Sequence, residues 1–193
     1  MRTAQAEGGR GMALQPSDDG VVLRDPAPGD LSLLFLRHMQ TVARDFGWNA
    51  RYEGYLFDIG ARFLLRLDPG RERFWVAEKG GRVIGCVGIV RENDSTARLR
   101  TMFVEPEARG LGLGRRLLEE CVSFCRDKGY GTIVLWTLGC LAAARELYAS
   151  AGFEMISSEP WDEIGPGMTD ETWRLDLTPG GGRDSPGDRH GRR

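Results

Sequence analysis

Three glycines fall in five positions (Gly110, Gly112, Gly114) where an apolar run of period two gives way to one of helical period. A strand that feeds a helix through glycines defines a local unit, because glycine admits positive φ and lets backbone amides approach an anion closely. The start of the helix adds unpaired N–H donors and the positive end of its dipole. Arg109, Arg115 and Arg116 bring formal positive charge to the same stretch. By spacing alone the loop reads as a phosphate cradle or as an ordinary tight turn. A dinucleotide site needs G-x-G-x-x-G after the first strand of a parallel unit and an acid about 20 residues on. A P-loop needs Gly-Lys-Ser/Thr, whereas Gly114 is followed by two arginines, so neither nucleotide pattern fits.

The surrounding elements follow from periodicity and turn chemistry. Val21-Val22-Leu23-Arg24 predicts a short strand. Pro28-Gly29-Asp30 offers an N-cap to a helix over about 30–45, with Leu31, Leu34, Phe35, Met39, Val42 and Phe46 at helical spacing and Gly47 closing the run. A second helix over about 50–67 carries Tyr52, Leu56, Ile59, Phe63 and Leu67, and Pro69-Gly70 ends it. The period then changes to two over 74–77 and 83–90, joined by Lys79-Gly80-Gly81, and a third run over 97–104 follows Asn93-Asp94-Ser95. Three antiparallel neighbours result. Beyond the glycine loop come a helix over about 112–128, a buried strand over 132–136, a helix over about 140–151 and strands over 153–156 and 172–177. The pattern predicts an α/β fold: a mixed central sheet of about seven strands, an antiparallel meander followed by a parallel crossover, flanked by helices.

At 193 residues the chain fits one domain, expected over 21–178, with 1–20 and 179–193 too polar and glycine-rich to fold. A formal net charge of -2 offers no field to hold nucleic acid. The apolar runs fall far short of the ~20 residues of a membrane span. Cys86, Cys121, Cys125 and Cys140 lie in apolar segments without close metal-ligand pairs, which predicts reduced, buried thiols and no metal site. No signal peptide precedes them, so the cytoplasm is the expected compartment, with the protein a monomer or homodimer.

The segment 103–118 (Phe-Val-Glu-Pro-Glu-Ala-Arg-Gly-Leu-Gly-Leu-Gly-Arg-Arg-Leu-Leu) resembles the acetyl-CoA-binding motif of the GNAT N-acetyltransferase superfamily. That motif, Gln/Arg-x-x-Gly-x-Gly/Ala, is met by Arg109, Gly112 and Gly114. Downstream, 144–153 (Ala-Arg-Glu-Leu-Tyr-Ala-Ser-Ala-Gly-Phe) is similar to the family's A-x-x-L-Y-x-x-x-G-F segment. The likeness extends over about 21–178. Arg37-His38, Gly47-Trp48 and Leu135-Trp136-Thr137 are most similar to the acetyltransferase half of bacterial MarR-type regulator fusions. The resemblance implies a GNAT-like sheet and acetyl-CoA as co-substrate, without a metal. It implies that backbone groups of Met102, Phe103 and Val104 pair with the pantetheine arm like an added strand. Amides from Arg109 through Gly110, Leu111, Gly112, Leu113 and Gly114 to Arg115 would hold the pyrophosphate. Tyr148 would be the general acid on the leaving thiolate. The implied reaction is acetyl transfer to a primary amine by direct attack on the thioester.

The chain also departs from the family. Some members place a glutamate on the strand before the loop, where this chain holds Thr96 and Arg98 with Glu92 and Asp94 nearby, so no base is assigned. Leu138 stands where the fusion proteins tend to carry Asn. His38 reads as a proton shuttle or as a helix-packing or surface residue. Trp48, Tyr52, Trp75 and Trp161 read as an acceptor pocket or as core. The acceptor itself stays open, because small amines, amino acids, antibiotics and protein amines all use this scaffold. An alternative reading is a non-catalytic acyl-CoA-binding regulatory module.

Overall fold

The computed structural model describes residues 19–177. The expectations for 1–20 and 179–193 lie outside those residues, apart from Asp19 and Gly20. Order begins there already, with the Asp19 carboxylate accepting the Val21 N–H at 3.0 Å.

Among the described residues twelve elements follow one another: β1 (Val21–Arg24), α1 (Asp30–Phe46), α2 (Ala50–Arg66), β2 (Arg73–Lys79), β3 (Arg82–Arg91), β4 (Thr96–Val104), a 3-10 turn (Pro106–Ala108), α3 (Leu113–Asp127), β5 (Thr132–Leu138), α4 (Ala142–Ser150), β6 (Glu154–Pro160) and β7 (Thr169–Asp176). The seven strands form one sheet in the order β1-β2-β3-β4-β5-β7-β6. All pairs are antiparallel except β4 with β5, which α3 connects as the crossover. The expected mixed sheet is therefore the one observed.

Each sheet face is closed by helices because each helix buries one stripe. On α3, Leu113, Leu117, Leu118, Cys121 and Cys125 pack with Val87, Ile89, Leu99, Ile133 and Leu135 of the sheet. On the opposite face, Leu34, Phe35, Val42, Leu56 and Phe63 of α1 and α2 pack with Phe74, Val76, Cys86 and Phe103. Full burial of each such side chain contributes about 1.5–3 kcal/mol. A Cβ on Gly60 would stand 2.6 Å from the Phe35 ring, so its absence lets α1 and α2 approach.

Several boundaries differ from expectation for physical reasons. Gly29, left-handed at φ 97°, is the N-cap of α1, and Asp30 instead uses its carboxylate on the Ala27 N–H (2.7 Å) and on Arg24. β7 begins at Thr169 because Thr169 pairs with Pro160 and Asp170 with Leu138, pairings that local polarity does not announce. The Gly139 N–H bonds to the Thr169 carbonyl, so α4 starts only at Ala142, and Cys140 is exposed rather than buried.

The sheet splits at its centre. β4 and β5 pair only from Thr96 to Leu99 against Thr132 to Leu135; beyond that, β4 continues with β3 and β5 with β7. A register shift between Cys86 and Gly88 adds one residue to β4, and Thr101 takes φ 50°. A left-handed β-branched residue costs about 1–2 kcal/mol, so this bulge is held by its surroundings.

Candidate active site

The opening between β4 and β5 leads into two cavities. One, of about 620 Å³, is bounded by Met102, Phe103, Val104, the glycine loop and α4. The other, of about 460 Å³, lies under α1 and α2 and is lined by Trp48, Tyr52, Arg100, Trp136, Trp161 and Asp170. His38, Met102, Leu141, Ala144 and Tyr148 line both, so the two cavities meet at these side chains.

The loop cavity is a row of free donors. Gly110 (φ 76°) and Gly112 (φ 78°) turn the chain into α3, and Gly112 is its N-cap. The backbone N–H groups from Gly110 to Arg115 find no acceptor among the described residues, as the first turn of a helix requires. The Arg109 N–H is engaged with the Pro106 carbonyl at 3.3 Å, so the open row starts one residue later than expected. Gly114 lies inside α3, where a Cβ would stand 3.3 Å from a Leu147 methyl, so the third glycine serves helix packing rather than loop conformation. The Leu111 side chain is 67% exposed and lines a neighbouring groove instead of this cavity. Arg109 and Arg115 line the cavity, but Arg116 turns away to the Val21 carbonyl (3.0 Å) and Asp19 (3.8 Å). Beside the loop, β4 from Arg100 onward has no β5 neighbour, and the Arg109 Nε–H donates to the Val104 carbonyl at 3.2 Å.

Two titratable groups join the cavities. Tyr148 of α4 is 5% exposed, and burial raises its pKa, which keeps the phenol protonated. His38 of α1 is 8% exposed and stacks on Phe103 with centroids 4.8 Å apart. Burial, and secondarily the Arg109 charge, lower its pKa to about 4, so the imidazole is neutral near pH 7. Its Nε2 lies 3.4 Å from the Tyr52 hydroxyl, and its Nδ1 is buried without a hydrogen-bond partner among the described residues.

The carboxylates near the upstream strand are otherwise occupied. Glu92 makes a two-pronged pair with Arg98 at 2.6 and 2.7 Å, which lowers its pKa, and Asp94 is paired with Arg91. Neither lines the cavities. The carboxylates that do are Asp58, paired with Arg62 at 2.9 Å, and Asp170, which accepts the Trp136 indole N–H at 3.2 Å. Asp170 has no cationic partner among the described residues. Asp170 and Arg100 line the second cavity although the sequence did not single them out. An arginine at alternating positions of an otherwise apolar strand was the available signal for Arg100, and the polar Thr-Asp-Glu-Thr run concealed Asp170.

The aromatic candidates divide. Trp48, Tyr52 and Trp161 line the second cavity, with Trp48 and Tyr52 edge to face at 4.5 Å and Trp161 against Trp136 at 5.1 Å. Trp75 packs on the opposite face of the sheet against Phe124 of α3 and belongs to the core. Leu138 is fully buried and forms an apolar wall. Among the described residues no group of three or more His, Cys, Asp or Glu could hold a metal ion, and no helix is long and apolar enough to cross a membrane.

The model of the acetyltransferase (GNAT) family matches residues 33–153. The chain is 38% identical over 113 residues to N-acetylaspartate synthetase of Danio rerio, which covers 58% of this chain and 39% of that protein. It thus spans well under half of that relative's length. It is 34% identical over 120 residues to the IAA acetyltransferase of Azospirillum brasilense, covering 60% of this chain and 77% of that one. Among solved structures, yncA of Salmonella typhimurium, with its cofactor acetyl-CoA, superposes with a TM-score of 0.65 at 24% identity, covering 86% of this chain and 98% of that one. At that identity the likeness concerns the fold.

Proposed function

The chain belongs to the GNAT acetyltransferase family, and we propose that it is an N-acetyltransferase that moves an acetyl group from acetyl-CoA to a primary amine by direct attack on the thioester. The observation that carries this reading is the row of unpaired N–H groups from Gly110 to Arg115 beside an open β4 edge. Those amides suit a pyrophosphate, with Arg109 and Arg115 adding charge, and the backbone of Met102 to Val104 suits the amides of a pantetheine arm. The thioester then lies near the bulge at Thr101, where irregular backbone can direct an N–H at the carbonyl oxygen.

The chemistry needs two proton transfers. As the amine nitrogen bonds to the carbonyl carbon and the carbon–sulfur bond breaks, the thiolate takes the Tyr148 proton, since that hydroxyl lines both cavities. The amine reacts in its neutral form, its ammonium proton already lost to solvent, and the proton that nitrogen loses on attack goes to Asp170, directly or through water, because Asp170 is the cavity carboxylate without a cationic partner among the described residues. His38, with its pKa near 4, contributes neutral surface and not a basic site. The finer likeness to the acetyltransferase half of MarR-type fusions is part of this reading and rests on Arg37-His38, Gly47-Trp48 and Leu135-Trp136-Thr137.

Thermal unfolding with and without acetyl-CoA tests the coenzyme half. At 100 times its Kd the ligand adds about 2.7 kcal/mol of stability and raises Tm by several degrees. An unchanged Tm with saturating acetyl-CoA would overturn the proposal.

A further inference from the structure

Arg100 is a half-buried guanidinium on the wall of the cavity under α1 and α2, and it has neither a hydrogen-bond nor an ion-pair partner among the described residues. Its neighbours on that face are neutralised: Arg98 is closed by Glu92, and Asp58 is held by Arg62. A guanidinium can only donate, and no Arg100 nitrogen is among the sealed, unsatisfied polar atoms, so its donors stay available to an anion that enters the cavity. Burial and the Arg98 charge both lower the Arg100 pKa, while Glu92 and Asp58 act on it only at longer range.

The coenzyme's own phosphates do not fill this place. Arg100 lies four positions before Val104, roughly 13 Å back along the strand, and it lines only the cavity that excludes the glycine loop. The same cavity holds Asp170, so one positive and one negative side chain, each without an ion-pair partner among the described residues, face a single space of about 460 Å³. That charge pair is complementary to a zwitterion. The geometry points to an acceptor that carries a carboxylate next to its amine, an amino acid or close analogue, with the carboxylate seated on Arg100 and the amino group toward Asp170. Arg100 is then a substrate-binding residue, and the apolar wall of Trp136, Trp161 and Leu138 meets the acceptor's side chain.

This inference rests on the acetyl-transfer reading and deepens it. The test follows CoA release from acetyl-CoA with the common L-amino acids, each paired with its own carboxamide, and with spermidine as a carboxyl-free amine. The expected result is turnover of at least one amino acid, with kcat/KM for the acid ~10- to 100-fold above that for its amide, the span expected of hydrogen bonds to a charged group. In Arg100→Gln the acid-to-amide ratio falls toward one through KM, and in Arg100→Lys it is partly restored. A thermal shift with acetyl-CoA is measured on each variant to show that it is folded and binds coenzyme. Turnover of carboxyl-free amines or amides as readily as acids, an unchanged ratio in Arg100→Gln, or no turnover of any amine overturns the inference. If wild-type protein gives no shift with acetyl-CoA, it is the acetyl-transfer reading itself that fails.

Discussion

His38 sits at the junction of the two cavities, where its packing and its chemistry pull apart. Its folded pKa of about 4 lies below the ordinary 6.5, so on acidification the unfolded chain takes up the proton first. The stabilising contribution is complete above pH 6.5 and is lost as pH falls toward 4, amounting to about 2 kcal/mol between pH 7 and pH 5. Urea unfolding of wild type and His38→Phe at those two pH values measures this. The variant keeps an aromatic ring against Phe103 and is expected to lose about that much less stability on acidification; an equal loss in both proteins would contradict it. Tyr148 belongs to the same scale. Tyr148→Phe is expected to lower kcat about 100-fold while leaving acetyl-CoA binding in place. An unchanged kcat would remove it as the acid. The place of Tyr148 beside the cavities was legible because it stands in an A-x-x-L-Y segment; its role as acid is the proposal. The place of Asp170 was not, because only pairing between strands distant in sequence sets this carboxylate against a cavity. Glu92 and Asp94 illustrate the converse: near in sequence to the expected base, they are held by Arg98 and Arg91 at the surface.

At the scale of elements, the strand-loop-helix unit of β4 and α3 combines two uses of glycine. Gly110 and Gly112 provide left-handed backbone, whereas Gly114 provides a close seam between α3 and α4. Gly112→Val is expected to destabilise the protein by about 1–2 kcal/mol and to weaken acetyl-CoA binding. Denaturant unfolding and titration with acetyl-CoA check both parts; full affinity in this variant would argue against the cradle. The meander and the major helices were readable because period two and period 3.6 are local properties. β6 was not read in full, since Ser157, Ser158 and Glu159 give no apolar alternation and the strand exists through its pairing with β7. The bulge at Thr101 was also illegible, because nothing in Arg-Thr-Met announces positive φ and the register with β3 imposes it.

For the whole molecule, a single sheet carries two helical layers and divides between β4 and β5, so that a row of N–H donors opens on one side of the split and an aromatic cavity on the other. Tyr148 and His38 bridge them. Such an arrangement suits a reaction between two substrates entering from opposite sides, with positioning as the main contribution to rate. A non-catalytic binding module would use the donor row and leave the aromatic cavity idle. The direct measurement is release of CoA thiol from acetyl-CoA over a panel of amines, with the product identified by mass spectrometry. The account predicts CoA release that depends on both the amine and the protein, with one acetylated amine formed for each thiol released. Tight acetyl-CoA binding with no amine-dependent release would contradict it.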